Sequence, residues 1–252
     1  MEWLIILGIV GIVGYVAGQS SSNKSFSQKK YKAPKELSYK PTTVAQKPKG
    51  KPKPVMNIKQ IDVSSVKLSD EQAKIFNLIE TTNDNYYITG KAGTGKSVLL
   101  QYFVENSGKR VVVVAPTGVA ALNVGGQTIH SFFKMPFDID FDDLKVDYKL
   151  RELLRNIDTV VIDEISMVRV ELMEAISKKL QIARRNEEPF GGIQMVMFGD
   201  LYQLPPVVSD GELDRYFKHN YGGYYFFNAP AFKQSNLQIY ELNEVFRQKD
   251  PE

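Results

Sequence analysis

One segment of this 252-residue chain restricts its fold more than any other, the string GKAGTGKS at residues 90–97. The string fits the pattern G-x-x-x-x-G-K-[ST] and stands between a strand-like run at residues 86–89 and a helix-like run at residues 98–105. Its glycines let backbone N–H groups turn inward around phosphate oxygens, and the following helix adds the positive end of its dipole. This context predicts an α/β domain built around a phosphate-binding loop.

Two side chains of the loop carry chemistry of their own. Lys96 would place a compact cation on the β- and γ-phosphates of a nucleotide, and the Ser97 hydroxyl would ligate Mg²⁺. The loop residues predicted to bind the nucleotide are Gly90, Lys91, Ala92, Gly93, Thr94, Gly95, Lys96 and Ser97. We therefore expect a nucleotide triphosphate and Mg²⁺ at this site.

Short apolar runs alternate with helix-like stretches along the rest of the chain. The strand-like runs lie at residues 86–89, 111–114, 159–162, 194–198 and 237–242, and helix-like stretches lie at residues 98–105 and 168–185. Near-continuous apolar strands that alternate with helices are typical of a parallel sheet covered on both faces. Upstream, Ser69 and Gln72 have the spacing of a capping box, which predicts that a helix begins there.

Composition excludes several kinds of site. The chain has no cysteine, which excludes disulfides, Cys-ligated zinc, iron–sulfur clusters and thiol catalysis. Its only histidines are His130 and His219, which excludes a His-rich metal site. The net charge of +3 is distributed unevenly, since residues 24–59 hold eleven lysines and one acid, whereas residues 60–252 hold 21 basic and 27 acidic side chains. An acidic body thus follows a basic segment.

Polar side chains follow two of the later strand-like runs. Asp163 and Glu164 come directly after the run VVI, and Gln203 lies shortly after the run that ends at residue 198. We expect Asp163 to hold Mg²⁺ through water and Glu164 to orient and deprotonate an attacking water. This pair favours hydrolysis over transfer of the phosphoryl group to a second substrate. We expect Gln203 to face the γ-phosphate and sense it.

The N-terminal segment, residues 1–23, is predicted to be a membrane anchor. Residues 3–23 contain no charged side chain, and about 20 mainly apolar residues suffice to cross a bilayer. The lysines that follow would keep the C-terminal side in the cytoplasm, which predicts a location on the cytoplasmic side of a membrane. A cleaved signal peptide and a short buried or interfacial helix are the alternatives.

Residues 24–62 are predicted to be a flexible linker rich in lysine and proline. The segment has few large apolar side chains, so it cannot bury enough surface to offset the entropy of ordering. The lysines between Lys24 and Lys59 would contact anionic lipid or the phosphates of a nucleic acid, or they would simply be solvated.

Beyond the phosphate loop, five strings make residues 66–252 resemble the Pif-type DNA helicases. These enzymes belong to the 5′-to-3′ branch of superfamily one, which also holds RecD-like enzymes. The strings are APTGVAALNVGGQTIHSFF (residues 115–133), DEIS (163–166), PFGGIQ (189–194), GDLYQLPPV (199–207) and VFRQ (245–248). The resemblance implies a RecA-like P-loop domain at residues 63–252, with the parallel sheet order 5-1-4-3-2.

The same resemblance implies roles for further residues. Gln72 would read the adenine edge of ATP, and Arg247 would reach the γ-phosphate when two motor domains close. The residues that match DNA-contacting motifs are Pro116, Thr117, Gly118, Thr128, His130, Ser131 and Phe133. Phe132 and Phe133 are candidates for stacking on a DNA base. The alternative is that at least one of the two rings packs in the core.

The implied activity is ATP-driven translocation along single-stranded DNA, with unwinding of duplex or structured DNA. A motor of this type has two RecA-like domains, and we expect only the first in this chain. One alternative is a module that binds nucleotide and single-stranded DNA without unwinding. Another is the ATPase of a DNA-transfer machine.

Overall fold

The computed structural model describes residues 66–208 and 211–246 of the chain. Its first helix begins at the capping box that the sequence predicts, with Ser69 and Gln72 bonded reciprocally through side chain and backbone. The α-helices of the described residues are α1 (Asp70–Thr81), α2 (Lys96–Asn106), α3 (Gly118–Asn123), α4 (Ile129–Phe132), α5 (Tyr148–Asn156), α6 (Val170–Arg184), α7 (Gly211–Tyr221) and α8 (Pro230–Gln234). Short 3-10 helices lie at Phe141–Asp143, Ile165–Met167, Pro189–Gly192 and Phe226–Asn228.

Within the described ranges, one parallel sheet joins six strands. They are β1 (Asn85–Gly90), β2 (Val111–Ala115), β3 (Gln127–Thr128), β4 (Thr159–Ile162), β5 (Gln194–Phe198) and β6 (Leu237–Leu242). The order across the sheet is β3-β2-β4-β5-β1-β6, and neighbouring strands run parallel. When the two-residue β3 is left out and the other five strands are renumbered in chain order, the order read from β6 to β2 is the predicted 5-1-4-3-2.

Two apolar cores cover the two faces of the sheet. Successive strand residues point to opposite faces, so Tyr86 packs in the core that α1 and α2 complete, whereas Tyr87 packs in the core that α6 completes. In α6, the residues Leu172, Met173, Ile176 and Leu180 are spaced to form one buried face. Helices on both faces, as predicted, explain why the central strands are apolar throughout.

The parallel topology places the polar segments at one edge of the sheet. The phosphate loop follows β1, residues 116–118 follow β2, Asp163 follows β4 and residues 199–200 follow β5. Because the carboxyl ends of parallel strands meet at the same edge, segments that are far apart in sequence come together there.

The prediction of a membrane-spanning helix needs correction. Between residues 66 and 246, leaving out 209–210, the structure contains no helix with the length and apolar character needed to cross a bilayer. Even the longest of the helices found there, α6, has 15 residues and carries charged side chains. The predicted anchor at residues 1–23 and the predicted linker at residues 24–62 lie outside the described residues.

Candidate functional site

Two glycines of the phosphate loop, Gly90 and Gly95, stand where an added Cβ would meet neighbouring atoms. A Cβ at Gly90 would lie 2.7 Å from the carbonyl oxygen of Leu242 in β6, and a Cβ at Gly95 would lie 2.4 Å from Nε2 of Gln72. Both glycines have positive φ, 149° at Gly90 and 79° at Gly95, a backbone conformation that is costly for side chains with a Cβ. The close strand and helix therefore explain the glycine pattern.

Lys96 begins α2 and folds back over the loop. Its Nζ donates a hydrogen bond to the carbonyl oxygen of Gly90 and another, of 3.1 Å, to the carbonyl oxygen of Lys91. Thr94 is buried beneath it, and its hydroxyl donates to the same Lys91 carbonyl over 2.9 Å. Ser97 follows on the first turn of α2 with its side chain exposed. The cation and the hydroxyl thus lie side by side, as the motif predicts.

Three carboxylates act on the Lys96 ammonium. Burial lowers the pKa of Lys96, and the negative charges of Asp200, Glu164 and Asp163 act in the opposite direction. These acids come from the ends of β4 and β5. In the sheet β5 pairs with β1, and β4 lies on the far side of β5. The fold therefore gathers one cation and three carboxylates at the edge where the phosphate loop opens.

Asp163, like Glu164, is half-buried. Its backbone N–H donates to the carbonyl oxygen of Val114 over 3.0 Å, which fixes the residue between β4 and β2. Burial, with a smaller contribution from the charge of Glu164, raises the pKa of Asp163 to about 6. A carboxylate in this environment gains stability from a nearby cation, which agrees with its predicted role at a Mg²⁺ site.

Glu164 has an unusual backbone for a residue with a side chain. Its φ of 51° and ψ of 44° lie in the left-handed region, and a 3-10 helix, Ile165–Met167, follows at once. Non-glycine residues in such conformations concentrate at functional sites, because the surrounding structure must offset the strain. The sharp turn leaves the Glu164 side chain only half-buried at the carboxyl edge of the sheet.

Asp200 also belongs to the site, although the motif analysis assigned it no role. It is 6% exposed, and its Oδ1 accepts a 3.0 Å hydrogen bond from the backbone N–H of Tyr202. The amide of Gln203 donates to Asp200 Oδ2 over 3.4 Å, while the rest of the Gln203 side chain is exposed. Gln203 is thus linked to the phosphate loop through Asp200. The place of Asp200 at a strand end was the available signal.

Gln72 lies beside the phosphate loop, but both ends of its amide have partners within the protein. Its Oε1 accepts from the backbone N–H of Ser69 over 3.1 Å, and its Nε2 donates to the Gly95 carbonyl over 3.2 Å. Reading of an adenine edge by Gln72 stays a prediction, and it requires these bonds to rearrange. The structure thus shows Gln72 as a link between α1 and the loop.

The segment after β6 also reaches the loop. The backbone N–H of Phe246 donates to the Gly93 carbonyl over 2.9 Å, and the Phe246 ring lies next to Gly95. Sequence reasoning singled out the following residue, Arg247, and missed Phe246. Arg247 lies outside the described residues, so its predicted contact with the γ-phosphate stays a prediction.

The two predicted DNA-contacting segments lie together, on the side of the sheet away from the phosphate loop. They follow β2 and β3, which are neighbours, and β4 and β5 separate them from β1. Thr117 and Thr128 cap short helices, because their hydroxyl oxygens accept from Ala120 N and Ser131 N, each over 3.2 Å. Pro116, Gly118, His130 and Ser131 are half-buried or exposed at the same edge.

The expected DNA contact at Phe133 needs correction. Phe133 is fully buried in the core on the α6 face, and Phe132, at 6% exposed, packs edge-on against it with ring centroids 4.9 Å apart. Neither ring offers a face to a DNA base, because both fill the space between α4 and the sheet. An aromatic ring that is exposed, Phe137, lies four residues further along the chain and stacks on His130.

The residues at the loop fit a bound Mg²⁺. The ion prefers oxygen ligands and in nucleotide sites takes only one or two from the protein, the others coming from phosphates and water. Ser97 and Asp163 supply a hydroxyl and a carboxylate. Within the described part of the chain, no group of three or more His, Cys, Asp or Glu side chains forms a metal cluster, and a site of this kind does not need one.

Comparison with known proteins agrees with the motifs. The family model described as PIF1-like helicase matches residues 67–252. The ATP-dependent DNA helicase PIF1 of Saccharomyces cerevisiae is 38% identical over 192 residues, which is 72% of this chain and 21% of the yeast protein. The ATP-dependent DNA helicase Pif1 of Bdellovibrio bacteriovorus is 37% identical over 158 residues, 60% of this chain and 36% of that protein.

Solved structures extend the likeness to three dimensions. The crystal structure of Bacteroides Pif1 bound to single-stranded DNA has a TM-score of 0.68 and 45% identity, with 74% of this chain and 44% of that chain covered. The complex of Bacteroides Pif1 with ADP-AlF3 and single-stranded DNA has a TM-score of 0.69 at the same identity and coverage.

The share of each relative that is matched limits the comparison to one region. The chain spans 21% of the yeast PIF1 and 44% of the Bacteroides Pif1 that it matches. Within that region, the matched residues include the phosphate loop, the acidic pair and the segments after β2 and β3. The resemblance that the motifs indicate is thereby confirmed, and the chain belongs to the PIF1-like helicase family.

Proposed function

We propose that this chain is the ATP-hydrolysing motor domain of a DNA helicase that moves 5′-to-3′ along single-stranded DNA. One observation carries the proposal: the Lys96 cation of the phosphate loop lies within the field of Asp163, Glu164 and Asp200, at one edge of a parallel sheet. Positioned charges around a γ-phosphate are the main means by which P-loop enzymes hydrolyse nucleotides.

The residues of the loop divide the work of binding ATP. Loop N–H groups and Lys96 would hold the β- and γ-phosphates, since a cation there offsets the charge that develops during phosphoryl transfer. Ser97 and Asp163 would hold Mg²⁺, which neutralises phosphate charge when bound. Glu164, half-buried and next to Asp163, is placed to accept a proton from the attacking water.

Gln203 and Asp200 connect this chemistry to the rest of the edge. Because Asp200 is buried and binds Gln203, a change in charge at the phosphate loop would be felt by the exposed loop that carries Gln203. Arg247, two residues after Val245, would add a second cation at the γ-phosphate. The contact of Gln203 through Asp200, or the contact of Arg247, would couple ATP hydrolysis to movement of the protein along DNA.

The DNA side of the proposal rests on the segments after β2 and β3. Pro116, Thr117 and Gly118 lie beside Thr128, His130 and Ser131 at one edge, where a strand of DNA can be followed by neighbouring loops. Relatives support this reading, since Bacteroides Pif1 is described bound to single-stranded DNA, and another structure concerns DNA unwinding at forked duplex DNA by two Pif1 helicases. We propose single-stranded and duplex DNA as partners.

The proposal is tested with Glu164→Gln in the 252-residue chain. The amide keeps the shape of the side chain but cannot take a proton from water, so we expect ATP binding to persist and phosphate release to fall by a factor of about 10² to 10⁴. Binding is measured by titration with a fluorescent ATP analogue, and hydrolysis is measured as phosphate release with and without single-stranded DNA.

Glu152→Gln in α5 is the matched control, because Glu152 is exposed and lies outside the site. It should bind and hydrolyse ATP like the wild type. If Glu164→Gln releases phosphate at the wild-type rate, then Glu164 is not the base and the proposed chemistry is wrong. If the wild type binds no single-stranded DNA, the DNA part of the proposal fails.

A further inference from the structure

Phe137 is the most exposed large apolar side chain of the described residues, at 87%. Single exposed apolar residues are common on proteins and need no special explanation. Phe137 differs because its ring is stacked on the imidazole of His130, with ring centroids 5.1 Å apart and an angle of 29° between the planes. The Phe137 ring therefore contacts His130 and still leaves most of its surface open to water.

The chain holds this ring in place by a tight turn. Lys134 has a positive φ of 50°, and after it Met135 donates its N–H to the His130 carbonyl over 2.9 Å. The Met135 side chain is buried, at 6% exposed, so it anchors the turn beneath Phe137. The turn therefore directs the chain that carries Phe137 out of the core, while the ring itself is not buried.

A buried lysine secures the same turn from the core side. Lys179 of α6 is 3% exposed, and its Nζ donates to the carbonyl oxygens of Phe133 and Lys134 over 2.8 and 3.1 Å. Burial lowers the pKa of Lys179, so the protein bears a cost to place this amine here. A turn that is fixed from two sides lowers the backbone entropy that the chain would lose when the ring binds a partner.

The charges around the ring indicate what kind of group it binds. The residues just beyond it, Asp138, Asp140 and Asp142, are acidic and repel phosphate groups. The nearby cations Lys134 and Arg169 are paired with Asp147 and Glu171. The attraction that the ring itself offers a nucleic acid is therefore stacking on the uncharged face of a base. Every base has such a face, and stacking on aromatic side chains is a general means of binding single strands.

We propose that Phe137 and His130 form a stacking platform for a base of single-stranded DNA, a site that the family motifs do not include. The inference rests on the DNA binding proposed above, because His130 belongs to the segment that is proposed to contact DNA. The platform lies after β3, and three strands separate β3 from the P-loop strand β1. Its partner is therefore a DNA base and not the adenine of the bound nucleotide.

The test compares Phe137→Ala, Phe137→Trp and the wild type, each as the 252-residue chain, for binding to two oligomers of equal length. One is oligothymidylate, and the other has the same backbone but abasic sites throughout. We expect Phe137→Ala to weaken binding of oligothymidylate by about 5-fold to 150-fold, the range that the loss of one base–aromatic stack implies. Binding of the abasic oligomer should not change, and Phe137→Trp should bind like the wild type.

A second measurement reports on stacking itself. A fluorescent adenine analogue placed along a thymidylate strand loses emission when it stacks on an aromatic ring, and this quenching should disappear in Phe137→Ala but persist in Phe137→Trp. Tyr148→Ala is the matched control, because Tyr148 is an exposed aromatic residue of the same region, at 75% exposed. It should bind both oligomers like the wild type.

The outcomes separate this inference from the proposed function. Wild type that binds neither oligomer contradicts DNA binding altogether. Wild type that binds oligothymidylate, with Phe137→Ala binding it equally well, overturns the platform and leaves the proposed function intact. Equal losses on the thymidylate and abasic oligomers would show that Phe137 acts through the backbone of the DNA or through the fold, which also overturns the platform.

Discussion

At the scale of single residues, burial and charge decide which side chains of the loop can do chemistry. Lys96 and Lys91 stand in the same loop, yet Lys91 is exposed whereas Lys96 is drawn over the loop carbonyls. Burial lowers the pKa of Lys96, and the charges of the acids after β4 and β5 oppose that lowering. The position of Lys96 at the start of α2 turns its side chain back toward the loop.

We expect Lys96→Ala to abolish binding of nucleotide, because it removes the cation that faces the phosphates and leaves three carboxylates there without it. Titration with a fluorescent ATP analogue measures this. Lys149→Ala in α5 changes the net charge equally, far from the loop, and should bind the analogue like the wild type. Unchanged affinity in Lys96→Ala would contradict the assignment of residues 90–97 as the nucleotide site.

At the scale of elements, the strands are joined at their amino ends as well as through the sheet. Arg110 and Asp158 immediately precede β2 and β4, and the guanidinium donates to both oxygens of the Asp158 carboxylate over 2.9 and 2.7 Å. The Arg110 backbone N–H donates to Asp158 too, over 2.9 Å. These bonds lower the pKa of Asp158 to about 2, and the bonds from the Arg110 side chain contribute more than the bond from its backbone. The pair sets the register at which β2 and β4 begin.

This pair predicts a stability that depends on acid pH. Because the pKa of Asp158 is lower in the folded chain than the unfolded value of about 3.9, the contribution is fully present above pH 4 and is lost as the pH falls toward 2. The two side chains are largely exposed, so solvent screening keeps the effect small. The free energy of unfolding of wild type and Asp158→Asn, measured in urea at several pH values, should differ above pH 4 and converge as the pH falls to about 2. A difference that does not vary with pH would contradict this reading.

At the scale of the whole molecule, charge is separated along the chain. Residues 60–252 carry 21 basic and 27 acidic side chains, while residues 24–59 carry eleven lysines and one acid. An acidic body repels a DNA backbone at long range, so the loops at its sheet edge have to bind against that field. The lysine-rich segment, which lies outside the described residues, has the opposite sign and is proposed to contact DNA phosphates.

We expect the salt dependence of single-stranded DNA binding to come mainly from these lysines. Replacement of all eleven lysines in residues 24–59 by glutamine should lower affinity at low salt and flatten the plot of log affinity against log salt. Each lost phosphate contact on a single strand reduces the slope by about 0.7. Fluorescence anisotropy with a labelled oligomer at several salt concentrations measures this. Equal slopes for the two proteins would show that the lysines do not contact DNA.

Much of the fold follows from local patterns, and those could be predicted. The capping box at Ser69 and Gln72 acts over a few residues, so its geometry depends on the neighbouring chain alone. The glycines at residues 90 and 95 are recognised from the spacing of their motif, although the atoms that a Cβ would meet there belong to Leu242 and Gln72. The alternation of apolar strands and helices predicted a parallel sheet, and its order followed from the family motifs. The places of Asp163 and Glu164 at a strand end followed in the same way.

Only the tertiary structure decided which side chains of these segments face water. Phe133 and Phe137 are four residues apart in one stretch, yet one fills the core and the other is exposed on His130, because the turn at Lys134 is tied to Lys179 of a distant helix. Asp200 entered the site because β5 lies between β4 and β1. Local sequence pattern determines the conformation of the backbone, but the burial of a side chain and the charges around it depend on residues that are distant in sequence. The sequence by itself therefore determined the phosphate loop, the acidic pair and the family. The fold decided which groups surround them.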